Sequence, residues 1–214
     1  TAEFAERVAP APVIGIDRGD GVIDKAVADH DALNLEFRLG VVYELDFADD
    51  SFDVVHAHQV LQHLSDPVGA LREMRRVCRP EGVVAVRDAD YGAFTWAPAD
   101  ERLTRWLEVY RSVARRNGAE PDAGRFLKRW TLDAGFTQVA SSASVWCFTD
   151  EADRRWWGEL WADRIVDSDL ARQAVDGGLA TQDDLAGFAA AFREWIDRPD
   201  GWFAVLHGEV LATP

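Results

Sequence analysis

"SFDVVHAHQVLQHLSDPVGALREMRRVCRPEGVVAVRD" (residues 51–88) decides how this chain folds. Its first eight residues have an apolar middle and predict a strand over 51–58. A helix follows over 66–80. Ser65 or Asp66 can cap it, Pro67 suits its first position, and Val68, Leu71, Met74 and Val77 recur at helical spacing. Pro80 lies just past the apolar stripe, and "GVVAVRD" (82–88) reads as a second short apolar strand. Strand, helix and strand in so short a span make a βαβ unit. Such units build parallel sheets with helices on both faces.

The alternation continues outward from this unit. "PVIGID" (12–17) reads as a buried strand, 21–29 as a helix with Val22, Ile23, Ala26 and Val27 on one side, and 35–40 as a strand. "TAEFAERVAP" (1–10) has Ala2, Phe4, Ala5 and Val8 at roughly helical spacing and is stopped by Pro10. On the other side, a helix runs from Pro98 to about Asn117, and another over 124–135 is ended by Gly135. A long strand over 136–148, helices over 151–197 and a last strand over 201–213 complete the chain. The reading is a single α/β domain over 1–214, a Rossmann-like doubly wound sheet, with 151–197 as a helical insertion between the last two strands.

Bulk properties narrow the partners. The 214 residues carry a formal charge of -15. That argues against nucleic acid or an anionic membrane surface as the main partner, because both call for a basic face. No apolar run approaches the roughly 18 to 20 residues that span a bilayer. The two cysteines, Cys78 and Cys147, sit in apolar stretches and read as buried thiols of a reducing compartment, so a cytoplasmic location is expected. Nine Trp is high for this length, and several cluster late in the chain. Trp156, Trp157 and Trp161 at helical spacing read first as a core stripe, and second as a lid over a substrate.

Asp17 ends the first of these strands. Ligands of open parallel sheets bind beyond the carboxyl ends of the strands. An acid there can accept hydrogen bonds from the vicinal hydroxyls of a ribose, or it can cap the helix that follows. The residue alone leaves both open.

The longer series leans to the first. Gly40, Leu45-Asp46-Phe47, Ser51-Phe52-Asp53, His63-Leu64, Asp66-Pro67, Leu71, Glu73, Arg76-Val77 and Pro80-Glu81-Gly82 resemble, in order and spacing, the small-molecule group of class I S-adenosylmethionine-dependent methyltransferases. With Asp17 upstream and "DAGFTQV" (133–139) downstream, the resemblance covers about residues 1–148. It implies a mostly parallel sheet with a final antiparallel strand, S-adenosylmethionine as cofactor, and methyl transfer to a small-molecule acceptor on O, N or C. It also implies roles. Asp17 would hold the ribose hydroxyls, with Arg18 beside the adenosine. Val41 and Val42 would border the adenine, and His58 and Gln59 would flank the methionine end.

Two departures from the family pattern stand out. Val41 occupies a position where the family usually has an acid that accepts from the adenine amino group, and Glu81 stands where Gly is common. The family also opens its fold with a strand and a glycine-rich turn. "TAEFAERVAP" resembles the helix after that turn, so an upstream strand and turn are expected before Thr1.

His63 and then His58 are the candidate general bases, needed only if the acceptor must lose a proton. A metal reading of His56, His58 and His63 would need a fourth ligand, so no metal is assigned. Arg87, Tyr91, Trp96 and Trp157 are the candidate acceptor-binding residues. A homodimer is kept as an assembly to test. Two rivals follow from the same residues. One is a methyltransferase-fold protein that binds a ligand or partner without turnover, which Val41 favours. The other is a nicotinamide-dependent oxidoreductase, for which Asp17 is equally suited.

Overall fold

A computed structural model describes residues 1–214. In chain order the elements are α1 (Ala2–Val8), β1 (Val13–Asp17), α2 (Asp20–Asp29), β2 (Leu35–Leu39), β3 (Phe52–His58), α3 (Pro67–Val77), β4 (Cys78–Ala89) and β5 (Thr95–Ala97). Then come α4 (Glu101–Arg116), α5 (Leu127–Asp133), β6 (Gln138–Phe148), α6 (Glu151–Val166), α7 (Asp169–Asp176), α8 (Gln182–Ile196) and β7 (Trp202–Thr213). The deciding stretch folds as strand, helix and strand, but the helix expected over 66–80 ends at Val77, and Cys78 to Pro80 already belong to β4. Asp66 accepts from the Gly69 N–H at 2.8 Å, Pro67 opens α3, and Ala70, Leu71, Met74 and Val77 are buried. β3 and β4 pair in parallel, with His58 opposite Arg87.

The sheet is mixed. β3, β4, β7 and β5 lie in that order, with β6 also paired to β7. β7 is antiparallel to β4, β5 and β6. β1 and β2 form a separate parallel pair, and no ladder joins it to β3. The contact between the two parts includes α1, where Phe4 stacks on His56 at 6.3 Å. The expected apolar side of α2 is not buried: Val22 is 55% and Val27 56% exposed. Only the small β1–β2 pair lies beneath that helix.

Two cores hold the molecule. The smaller, of 13 buried residues, packs α3 and α5 under β4 and β7 through Leu71, Met74, Leu127, Val84 and Val210. The larger, of 25, joins α4, α6 and α8 to Phe203 and Val205 of β7. The helices between β6 and β7 therefore carry the main core, and most of their aromatic area is interior. Trp157 is sandwiched near Phe148 (4.4 Å, 9°) and Phe203 (5.6 Å), and Trp161 packs on Trp106 (4.7 Å). Only Trp156 of the trio is exposed.

Glu73 and Arg76 of the motif series have a structural job. Glu73 accepts from the Leu45 N–H at 2.8 Å. Arg76 donates to the carbonyls of Leu45 and Phe47 and to Asp49. Together they tie the acidic loop 45–49 to α3. One expectation fails outright: Cys78 is buried, but Cys147 is exposed, because it lies on an edge strand whose outward side is uncovered at that point. The helix expected over 124–135 is also split, with a 3-10 turn at Ala123–Arg125 before α5. Gly124 sits against β7 there; a Cβ on it would lie 2.8 Å from the Gly208 nitrogen.

Candidate functional site

Asp17 closes β1 where that strand meets the end of β2, opposite Leu39. One carboxylate oxygen accepts from the Gly19 N–H at 2.8 Å, while the other has no partner within the protein. The Asp17 carbonyl accepts from Gly40 at 2.9 Å, which brings Val41 alongside. Val41 is half exposed, and Val42 packs against the smaller core. An acid with a free oxygen beside an exposed apolar residue fits the adenosine half of S-adenosylmethionine: diol hydroxyls on the carboxylate, the base on Val41.

The methionine end is less open than expected. Gln59 has a left-handed backbone, φ 54°, which a non-glycine residue adopts only when its surroundings hold it there. Its N–H bonds the Arg87 carbonyl at 2.7 Å, and its side-chain amide donates to His207 Nε2 at 3.0 Å. His207 is fully buried and gives its Nδ1–H to the Val205 carbonyl at 3.1 Å. A carbonyl can only accept, so the neutral Nδ1–H tautomer satisfies both contacts. Burial first, then Arg87 and His58, push its pKa down to about 4.

His58 and Arg87 belong to one cross-strand row that continues through Glu209 to Ser142. Arg87 donates to His58 Nε2 at 2.6 Å, to Glu209 at 3.1 Å and to Ser144 at 3.0 Å, and lies 4.8 Å from the Trp146 ring centre. These contacts brace the guanidinium within the sheet and leave two of its five N–H donors without a protein partner. The lone pair of His58 Nε2 is spent on Arg87. Burial, then Arg87 and His56, hold this imidazole below its ordinary pKa.

His63 ends the 3-10 turn Leu61–His63. The neighbouring Gln62 is buried and clamped at both ends: its Oε1 accepts from the Ala89 N–H at 3.2 Å, which turns its amide nitrogen to His63 Nε2 at 3.1 Å. Gln62 N–H donates in turn to Asp88 Oδ1 at 3.0 Å. Asp88 is fully buried, its other oxygen has no partner, and burial raises its pKa to about 7 against hydrogen bonds from the backbone of Val60–Gln62. Desolvation, then the charges of Arg164 and Arg18, lower the pKa of His63.

Beyond β4 the chain turns sharply, and this turn is clamped. Asp90 pairs with Arg125 at 2.5 Å; buried Asp122 takes Arg111 at 2.5 Å, Arg115 at 2.6 Å and the Gly92 N–H at 2.7 Å. The clamp aims Tyr91 into a stack with Phe94 and Tyr110, each 4.3 Å away. Tyr91 is buried behind Tyr110, Trp157 is a core residue, and half-buried Trp96 stacks on Phe203, so none of the three forms an open pocket wall. The open cavity at this end, about 200 Å³, is lined instead by Tyr110, Trp161, Arg164, Ile165, Ser168 and Leu170. Of these only Trp161 stands out in the sequence; Arg164 carries no pattern that separates it from the other arginines of a charged helix. A larger hollow, about 500 Å³, is lined by Asp50, Asp53, Arg79, Pro80, Glu81 and Gly82, at the opposite, amino ends of β3 and β4 and without an apolar wall.

A methyltransferase-domain family model matches residues 1–86. An uncharacterized methyltransferase of Schizosaccharomyces pombe is 35% identical over 99% of this chain and 79% of its own length. Among solved structures, the [4+2]-cyclase SpnF has a TM-score of 0.53 at 20% identity, covering 100% of this chain and 70% of its own. A Haemonchus contortus phosphoethanolamine methyltransferase, solved with phosphomonomethylethanolamine and S-adenosylhomocysteine, has a TM-score of 0.53 at 15% identity, covering 99% of this chain and 46% of its own. A cyclase and a methyltransferase on one scaffold show that the fold by itself does not fix the chemistry; the sequence relationship does the assigning. The chain belongs to the class I S-adenosylmethionine-dependent methyltransferases.

Proposed function

We propose that this protein transfers a methyl group from S-adenosylmethionine to a small molecule. The observation that carries the reading is Asp17: a carboxylate at the carboxyl end of β1, with one oxygen fixed by the Gly19 N–H and one free, beside exposed Val41. The sulfonium cofactor, when bound, supplies a methyl carbon already activated for displacement. The residues present fit its adenosine half, with Asp17 toward the ribose and Val41 toward the base. The chain's own task is then alignment of the acceptor and exclusion of water, which account for much of the rate of such a displacement.

The small-molecule reading is supported by a narrow apolar cavity at the carboxyl end of the sheet and by the acidic balance of the chain, which disfavours polyanions. Titration calorimetry with S-adenosylmethionine and S-adenosylhomocysteine tests the cofactor assignment. Both should bind, and Asp17→Ala should weaken them about tenfold or more, or about 1.4 kcal/mol. Absence of heat with both, or unchanged affinity in the variant, overturns the reading. NADH, included as a control, should not compete.

A further inference from the structure

We propose that the cavity between α4, α6 and α7 takes a small apolar acid, with its anionic group on Arg164. The proposal names the acceptor class for the methyltransferase reading and rests on it. Acids outnumber bases in this chain by 38 to 23, and nearly every arginine has an oxygen to bond. Arg72, Arg116 and Arg154 find carbonyls, and most others find carboxylates. Arg18, Arg75 and Arg164 find neither; of these three Arg164 alone lines the cavity, where its guanidinium lies over the Trp161 ring at 5.8 Å. A cation left unpaired where acids are plentiful is free for a ligand's charge.

The cavity walls suit a flat apolar body. Tyr110 is held by its 12° stack on Tyr91, and Trp161 meets Tyr110 edge-on at 5.4 Å. Ile165 and Leu170 complete the apolar lining, and Ser168 adds a hydroxyl. At about 200 Å³ the space is below the range of drug-sized sites and holds about one substituted ring. Aromatic walls with a single charged group at the rim give orientation as well as affinity. One wall, Tyr110, stacks on Tyr91 just past the end of β4, which sets the cavity at the carboxyl end of that strand.

The test uses the full chain and saturation-transfer NMR with benzoate and phenylacetate, set against benzamide, phenylacetamide and benzylamine. The carboxylates should bind at least about tenfold more tightly than the amides, with benzylamine weakest. Arg164→Gln should erase that preference, and Arg164→Lys should keep part of it as a point charge. Leu170→Trp, which fills the cavity from a half-buried position, should remove binding of all the probes. Equal binding of acids and amides, no carboxylate binding, or a preference that survives Arg164→Gln overturns the proposal. S-adenosylmethionine calorimetry on the same samples separates the two claims. Cofactor binding without acid selectivity removes the cavity assignment alone; acid selectivity without cofactor binding removes the methyltransferase reading and the acceptor role with it.

Discussion

Two fully buried titratable groups, Asp88 and His207, tilt stability in opposite directions with pH. Asp88 goes from an ordinary 3.8 to about 7 on folding. Between those values the folded state holds one more proton than the unfolded state, so Asp88 makes stability fall as pH rises. Its limiting slope is about 1.4 kcal/mol per pH unit, and the total reaches about 4 kcal/mol above pH 7. His207 goes the other way, from 6.5 to about 4. There the unfolded state holds the extra proton, and stability rises with pH by about 3 kcal/mol in all. Between pH 4 and 6.5 the two slopes cancel, so these groups leave the wild-type curve nearly flat. Asp88→Asn keeps an oxygen for the Gln62 N–H and removes one slope; its stability, from urea unfolding at half-unit pH steps, should rise from pH 4 to 6.5. His207→Gln should fall over the same range. The diagnostic is the opposite sign of the two slopes. Parallel curves for the two variants would refute the assignment of a proton to Asp88 and a neutral ring to His207.

Other outcomes follow from single contacts. Val41→Asp restores the acceptor for an adenine amino group and should tighten S-adenosylmethionine by about 1 kcal/mol, the worth of one hydrogen bond at a half-exposed site; unchanged calorimetric affinity would argue against adenine there. Asp122→Ala leaves Arg111, Arg115 and the Gly92 N–H without their shared acceptor, and should cost about 3–5 kcal/mol in chemical unfolding. Gly124→Ala drives a methyl group into the β7 backbone and should cost about 1–3 kcal/mol, with a lower melting temperature; full stability would mean that the 3-10 turn can move off the sheet.

The strand ends were legible because their chemistry is local. Asp17 terminates an apolar run, and Asp66-Pro67 announces α3, so period and capping locate both. The series from Gly40 to Gly82 was legible too, although Glu73 and Arg76 proved to be a clamp on the 45–49 loop. What pattern cannot supply is which distant groups satisfy one another. Arg87 reads as a free cation in the sequence, and its partners Glu209 and Ser144, which lie far along the chain, are brought to it only by β7 and β6. Trp157 reads first as core and second as lid, and the position of Phe203 decides it. Arg164 is the reverse case: nothing in "WADRIVDSD" (161–169) marks it, and its significance is the absence of a partner, a property of the assembled surface.

The histidines bear on what the acceptor must bring. His58 Nε2 takes a hydrogen from Arg87, His63 Nε2 takes one from an amide whose orientation Ala89 fixes, and His207 Nε2 takes one from Gln59. In these three rings the Nε2 lone pair is therefore engaged, and all three are held below their ordinary pKa. A general base needs a free lone pair within reach of the proton it takes. A site arranged this way favours an acceptor whose nucleophilic atom already carries its electron pair, and a small acid that arrives ionised meets that condition without a base. Under the proposed function, His63→Gln should then lower turnover by less than tenfold and leave the pH profile unmoved. A hundredfold loss, with the acidic limb of the profile shifted, would restore His63 as the base and require Gln62 to release it during the cycle.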